Sequence, residues 1–223
     1  MKLPMKLRRN IVERYKFASH YIKGKKVLDL ACGSGYGCKI IAKAGATKVV
    51  GVDISQESIE FAQKKFGMSN IVFIRRDILS YETEERYDVI TSFETIEHVE
   101  RYDMALQKFY SLLKPTGILI ISSPNRKITS PLAKTINDSP VNRFHKREFN
   151  TSELRAGLEK QGFVVKNSDI YGQQQLLYCK NNYLNRRFKK VFKMFKVSKP
   201  SVTPVRHLTP TYCVIVAHKC CVR

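Results

Sequence analysis

The run VLDLACGSGYG at residues 27–37, followed by an acid at Asp53, constrains this chain more than any other feature. Val27, Leu28 and Leu30 form a short apolar run, as in a strand buried on both faces. Gly33, Ser34 and Gly35 then allow a tight turn, and Gly37 lets the next helix start close to that strand. A second apolar strand, 49–52, ends in Asp53. Strand, glycine turn, helix, strand and acid is the order of a nucleoside-binding α/β unit. Glycines let the backbone approach the ligand, and a carboxylate at the next strand tip can chelate two ribose hydroxyls.

The spacing narrows the nucleoside. A pyrophosphate on a helix N-terminus favours G-x-G-x-x-G. This chain has G-x-G-x-G followed by Cys38 and Lys39. A further acid, Asp77, ends a third strand at 71–74 and precedes Ile78. In an adenosyl site such an acid accepts from the adenine amine, and the next backbone N–H donates to a ring nitrogen. Acids at the ends of three consecutive strands (Asp29, Asp53, Asp77) favour S-adenosylmethionine.

VLDLACGSGYG, VVGVDIS, RRDI, YDVITSFETIEHVE and LLKPTGILIISSPN, in this order, resemble the class I S-adenosylmethionine-dependent methyltransferases. The likeness is to the type 11-like group that includes ubiquinone-type and polysaccharide-biosynthesis-associated small-molecule enzymes. It runs from about Arg14 to Asp169, with a last strand at 211–217. The resemblance implies a Rossmann-like α/β fold: a seven-stranded, mostly parallel sheet with an antiparallel last strand and helices on both faces. It implies cofactor contacts from Asp29, Ala31, Cys32, Gly33, Ser34, Gly35, Asp53, Ile54, Asp77, Ile78 and Phe93.

The 223 residues suffice for one such domain, divided as an N-terminal helix (1–25), a cofactor core (26–122), a substrate loop (123–150) and a basic insert (180–199). No apolar run approaches the length of a spanning helix, and the N-terminus carries no signal-peptide pattern. Cys32, Cys38, Cys179, Cys213, Cys220 and Cys221 make no C-x-x-C pair. The expectation is a reduced, cytoplasmic protein that could sit at the inner face of the membrane. Forty basic residues against nineteen acidic give +21, a surface that seeks anions.

Periodicity and punctuation predict helices at 8–22, 36–44, 55–66, 103–113 and 151–161, the third capped by Ser55 and the last by Thr151. Strands are expected at 27–31, 49–53, 71–76, 87–93, 117–122, 163–170 and 211–217, with 78–85 irregular. Two segments lie outside a minimal cofactor core. The first is the loop at 124–150, leaving the carboxyl end of a strand, where ligands of open α/β sheets bind. Its end, RFHKREFNTSEL, resembles the helix entry of glycan- and ubiquinone-type methyltransferases. The second, YLNRRFKKVFKMFKV at 183–197, places Leu184, Phe188, Val191, Phe192 and Phe195 on one helical face among six Lys and Arg. Such a helix suits an anionic membrane surface, or packs on its own protein.

The chemistry is expected after the fourth strand, at SFETIEH. Methyl transfer from a sulfonium is an in-line displacement whose leaving thioether is neutral. The protein must therefore align the acceptor, exclude water and, for a hydroxyl, remove a proton. His98, assisted by Glu97, or His145 on the loop, can be the base. An alternative uses Glu94, Glu97 and His98 as E-x-x-E-H. If helical, these share a face and could hold Mg²⁺, with His145 as a fourth ligand. That run resembles the metal motif of small-RNA 2′-O-methyltransferases, but Val99 stands where those enzymes carry a second histidine. The primary reading has no metal.

The expected function is S-adenosylmethionine-dependent O-methylation of a sugar hydroxyl in a glycan precursor, or of another small-molecule hydroxyl. SFETIEH replaces the Asn/Asp-Pro-Pro-Tyr pattern of many enzymes acting on planar amines. Two rival readings are an RNA methyltransferase of the 2′-O type, for which no RNA-binding module is visible, and a non-catalytic cofactor-binding protein at a membrane.

Overall fold

The computed structural model describes residues 5–176, 201–205 and 209–220. The basic segment at 183–197, Cys179 and Cys221 lie outside the described residues. The chain alternates strand and helix: β1 (Lys26–Leu30), β2 (Lys48–Asp53), β3 (Ile71–Arg75), β4 (Tyr87–Phe93) and β5 (Leu113–Pro124) are separated by α2 (Tyr36–Lys43), α3 (Gln56–Phe66) and α4 (Tyr102–Leu112). A leading helix α1 (Met5–Ala18) precedes them. After β5 come α5 (Arg126–Thr129), α6 (Thr151–Lys160), β6 (Phe163–Val164), β7 (Ile170–Leu176), β8 (Val202–Pro204) and β9 (Thr209–Lys219).

The sheet order is β3-β2-β1-β4-β5-β9-β7-β8, with β6 paired to β9. β1 to β5 pair in parallel, and β9 runs antiparallel between β5 and β7. This is the expected mostly parallel α/β sheet with helices on both faces. Among the described residues it has nine strands rather than seven, because the segment expected at 163–170 divides into β6 and β7 and because β8 adds a short pairing to β7. The strand order reverses between β1 and β4, which opens a crevice at their carboxyl ends.

Strand alternation divides the core. Leu28 and Leu30 join Ile90, Ile121, α4 (Leu106, Phe109) and α6 (Leu154, Leu158) on one face. Val27, Val49 and Val89 join Tyr15 and Ala18 of α1 and Ile41 of α2 on the other. Asp29 falls on this second face between two apolar strand positions, which decides its fate below.

Four local expectations are corrected. The leading helix ends at Ala18 and tightens into a 3-10 turn over Ser19–Tyr21. Asn150, not Thr151, caps α6: its side chain accepts from the Glu153 N–H at 3.0 Å, and Glu153 Oε2 accepts from the Asn150 N–H at 2.9 Å. The strand expected at 163–170 breaks after Val164, because the polar Asn167–Asp169 forms a turn in which Asp169 accepts from the Lys166 N–H. β5 starts at Leu113, well before Gly117, after a register shift opposite Tyr87 and Val89. Ser55 caps α3 as expected, accepting from the Ser58 N–H at 3.2 Å. Among the described residues no helix is long and apolar enough to cross a membrane.

Candidate active site

The three loop glycines are required for three different reasons. Gly35 has φ 74°, and a Cβ there would lie 2.6 Å from Ala62 and 2.7 Å from the Phe73 ring. Gly37 has Tyr15 against it: a Cβ would come within 1.9 Å of that ring, so the close approach is to α1 rather than to β1. Gly33, at φ 51°, meets no atom within 4 Å of a built Cβ, so the space on that side is open and its glycine serves the left-handed backbone. Ala31 also has positive φ, 63°, where the chain leaves β1.

Asp53 ties the turn to β2. Its Oδ2 accepts from the Gly33 N–H at 2.7 Å and its Oδ1 from the Ser55 N–H at 2.9 Å. Each carboxylate oxygen keeps a second lone pair for a ribose hydroxyl. Ile54, next along, is 64% exposed, an apolar side chain held at the strand tip with nothing of its own to cover it. Asp77 is exposed, with one oxygen accepting from the Leu79 N–H at 2.8 Å, while Ile78 is buried and Ser34 exposed. Phe93 is buried, edge-on to Tyr15 at 5.0 Å.

Asp29, expected to end the first strand as Asp53 and Asp77 end theirs, lies inside β1. It is fully buried, and its oxygens accept from Thr91 Oγ1 at 2.7 Å, Tyr15 Oη at 2.9 Å and Cys38 Sγ at 3.3 Å. The strand pleat turns it under α1 and α2, so it anchors the floor of the turn. Cys32 is likewise buried, and its N–H is spent on the Val52 carbonyl at 3.0 Å. Burial outweighs those hydrogen bonds and raises the Asp29 carboxyl to about 6. The folded state therefore holds this proton more tightly than the unfolded chain. The contribution to stability is full below the unfolded value and is lost as pH rises through about 6. Asp29→Asn removes that dependence, since both neighbouring hydroxyls can rotate to suit an amide. Between about pH 4 and about pH 7 the variant should gain roughly 3 kcal/mol on the wild type. Parallel melting-temperature profiles for the two proteins would refute this.

Beyond β4 the chain turns sharply. Glu94 has φ 52°, and a 3-10 turn follows at Ile96–His98. The left-handed residue sends the Glu94 carboxylate toward Ser122 Oγ at 2.9 Å and Arg14 Nη1 at 3.3 Å. The helical face on which the metal alternative depends, joining Glu94, Glu97 and His98, does not form. The side chains that do converge are Glu97, His98 and His145, with candidate ligand atoms all within 4.8 Å of one another. The Glu97 carbonyl receives the Lys146 N–H at 2.8 Å, which pins the loop over this turn. The Glu97 carboxyl is fully buried, with neither oxygen hydrogen-bonded among the described residues. Burial, and then the Glu94 charge, push its proton affinity well above the ordinary carboxylate range.

Hydrogen bonds separate the two histidines. The His98 Nδ1 lies 2.9 Å from the Phe144 carbonyl, which can only accept, so Nδ1 carries the proton and Nε2 has the open lone pair. His145 Nδ1 sits 2.6 Å from Glu148 Oε1, and its Nε2 receives the Asn142 amide at 2.8 Å. The Asn142 orientation is fixed because its Oδ1 accepts from the Phe144 N–H at 3.1 Å. Both His145 nitrogens are thus engaged, and the ring stands nearly perpendicular to His98 at 4.8 Å. Burial works to raise the Glu148 carboxyl, but bonds from His145, Thr129 and Ser130 hold it below the ordinary range.

The sequence reading missed Arg14, Arg126, Glu148 and Tyr212. Arg126 is buried and clasps the Glu153 carboxylate through both terminal nitrogens at 2.6 Å. It also donates to the Glu148 carbonyl at 2.8 Å, which fixes the loop's two ends together. Arg14 carried a readable signal: it lies three residues from Ile11 and four from Ala18 on the helix's apolar stripe, where a charge is out of place.

A glycine turn and two strand-tip acids at the switch point of a sheet in this order define the fold of class I S-adenosylmethionine-dependent methyltransferases. Over residues 22–193 the chain matches the family described as "Methyltransferase domain", and it belongs to that family, whose cofactor is S-adenosylmethionine. It is 32% identical over 156 residues to a probable S-adenosylmethionine-dependent methyltransferase of Mycolicibacterium smegmatis, a match covering 69% of this chain and 58% of the other. It is 38% identical over 113 residues to a ubiquinone biosynthesis O-methyltransferase of Actinobacillus pleuropneumoniae, covering 47% and 48% of the two chains. The chain thus spans only about half the length of these curated relatives. Among solved structures, an S-adenosylmethionine-dependent methyltransferase from Archaeoglobus fulgidus superimposes with TM-score 0.64 at 24% identity, covering 96% of both chains.

Proposed function

We propose that this protein transfers a methyl group from S-adenosylmethionine to a hydroxyl of a small molecule, a sugar of a glycan precursor or a phenol, with His98 as the general base. The observation that carries this reading is His98 Nε2, the one imidazole nitrogen of the cluster with no hydrogen bond among the described residues, on a ring whose Nδ1 is held by the Phe144 carbonyl in the turn after β4. The likeness to ubiquinone biosynthesis O-methyltransferases supports oxygen as the acceptor atom.

Bound S-adenosylmethionine supplies an electrophilic methyl on a sulfonium. On this reading Asp53 chelates the ribose, Ile54 covers the adenine face, and Asp77 with the Ile78 N–H reads the adenine edge. The open side of Gly33 fits a ligand laid across the turn, and the exposed Ile54 fits an apolar base. Gly35 and Ser34 shape the turn, and Phe93 backs it. His98 Nε2 takes the acceptor's proton. The Glu97 carboxyl is buried next to His98 in this cluster, and burial followed by the Glu94 charge raises its proton affinity. His145, with both nitrogens engaged, acts as a positioning wall.

A divalent ion fits this cluster poorly. A ligand set of Glu97, His98 and His145 needs a free His145 nitrogen, and Glu148 and Asn142 occupy both. The test is methyl transfer from labelled cofactor to a panel of phenols and glycosides, with and without EDTA. Transfer to oxygen undiminished by the chelator is expected. Activity abolished by EDTA and restored by Mg²⁺ would replace the base with a metal. Labelling of RNA alone, or cofactor binding without turnover, would favour one of the two rival readings.

A further inference from the structure

The loop between β5 and α6 carries the three most exposed large apolar side chains among the described residues: Val141 at 74%, Leu132 at 72% and Phe144 at 66%. Single apolar residues scattered over a surface are ordinary, but three on one loop are not. The loop's own hydrogen bonds draw them together. The Val141 N–H donates to Ser130 Oγ at 2.8 Å, two residues before Leu132. The Phe144 N–H donates to Asn142 Oδ1 at 3.1 Å, so Phe144 follows Val141 around a tight turn. The Ala133 N–H closes a further turn on the Ser130 carbonyl at 3.0 Å. These side chains are thus held out in water by a bonded loop that could have folded them in.

The same loop is cationic. Residues 126–147 hold six Lys and Arg against one acid, Asp138. The Asp138 carboxylate is spent on the Lys134 and Thr135 N–H groups, at 2.6 and 3.0 Å. Arg126 is committed to Glu153, and the nearest outside acid, Glu100, stands 3.8 Å from both Lys146 and Arg147. Lys134, Arg143 and Lys146 are exposed, and the Arg143 guanidinium lies over the Phe144 ring at 4.8 Å. Apolar side chains next to uncompensated cations complement the surface of an anionic bilayer, with acyl chains for the first and headgroup phosphates for the second. Nucleic acid would satisfy the cations but offers one ring to stack on and nothing to Leu132 and Val141. A protein interface buries roughly 800 Å² a side around a core depleted in charge. Here a cation lies on the largest apolar side chain of the patch.

We propose that Leu132, Val141 and Phe144, with the exposed Lys134, Arg143 and Lys146 of the same loop, dock this protein on an anionic lipid bilayer. This surface is separate from the basic segment at 183–197, and the docking is independent of the acceptor's identity.

The chain contains no tryptophan, so Leu132→Trp places a single fluorescent reporter in the patch. With phosphatidylglycerol vesicles its emission should shift to the blue and be quenched by lipids brominated on their acyl chains. Phosphatidylcholine vesicles should bind at least about 10-fold more weakly, as should phosphatidylglycerol in about 0.5 M salt. In sedimentation with phosphatidylglycerol vesicles, the double variant Leu132→Ser/Val141→Ser should bind about 10-fold or more below wild type. Both positions are exposed, so the variant should fold, and a melting curve checks this. The proposal is overturned if wild type ignores the vesicles, or if it binds both lipids equally. It is also overturned if binding survives the double variant, which would move the contact to another surface such as 183–197. A blue shift without lipid that grows with protein concentration would give the patch to a second copy of the chain. One seen with single-stranded RNA and not with vesicles would give it to nucleic acid, and either result replaces the bilayer.

Discussion

Replacing His98 by alanine should lower turnover by about 10²–10⁴ while leaving cofactor affinity unchanged. The effect is placed on turnover because the interactions that hold the His98 ring come from the loop and not from the glycine turn. The ring contacts the loop, through the Phe144 carbonyl, and the His145 ring. Removing it deletes the cluster's one imidazole nitrogen left open among the described residues and leaves the glycine turn, Asp53 and Asp77 in place. His145→Ala should cost less, and through a raised KM, because that ring's two nitrogens are engaged within the loop and its loss loosens the wall beside the acceptor. Steady-state kinetics on both variants, with cofactor binding measured separately, distinguish the roles. Full activity in His98→Ala would remove the base assignment and return attention to His145.

Asp53→Ala should weaken S-adenosylmethionine by about 30- to 1000-fold, the loss of roughly 2–4 kcal/mol for a charged carboxylate bonded to two hydroxyls. Part of this loss is structural: the same carboxylate holds the Gly33 and Ser55 N–H groups, so the turn loosens with it. Asp53→Asn separates the parts. Its amide oxygen can keep one backbone bond, while its amide nitrogen can no longer accept from a ribose hydroxyl. Titration of both variants, with a melting curve to confirm folding, gives the answer. Affinity unchanged in folded Asp53→Ala would place the nucleoside elsewhere.

Much of the fold was legible because its signals are local. Two-sided burial writes continuous apolar runs, and these located β1, β2 and β4 to within a residue or so. Only glycine fits at Gly35, where φ is positive and a Cβ would meet Ala62 and Phe73, and a short polar side chain caps a helix as Ser55 does. What failed was equally local in kind. Asn150 and Thr151 are both good caps, and one-residue placement depends on which side chain meets the Glu153 N–H. The stretch at 163–170 is apolar enough for a strand, yet Asp169 turns back on Lys166 and ends it.

The candidate site divides in the same way. The sequence alone determined the class of ligand: a glycine turn after one buried strand and acids at the next two tips, all within about 50 consecutive residues and fixed by backbone geometry. Tertiary structure decided which side chains act there. The pleat of β1 put Asp29 inside instead of at the rim. A single left-handed torsion at Glu94 broke the helical face of E-x-x-E-H and sent that carboxylate to Arg14. The long loop returned to set Phe144 and His145 against His98, and β9 brought Tyr212 under Arg14 from the far end of the chain. The physical reason is one of range. Period and propensity act over a few residues, whereas these contacts depend on strand order and on torsions that only the assembled core holds in place.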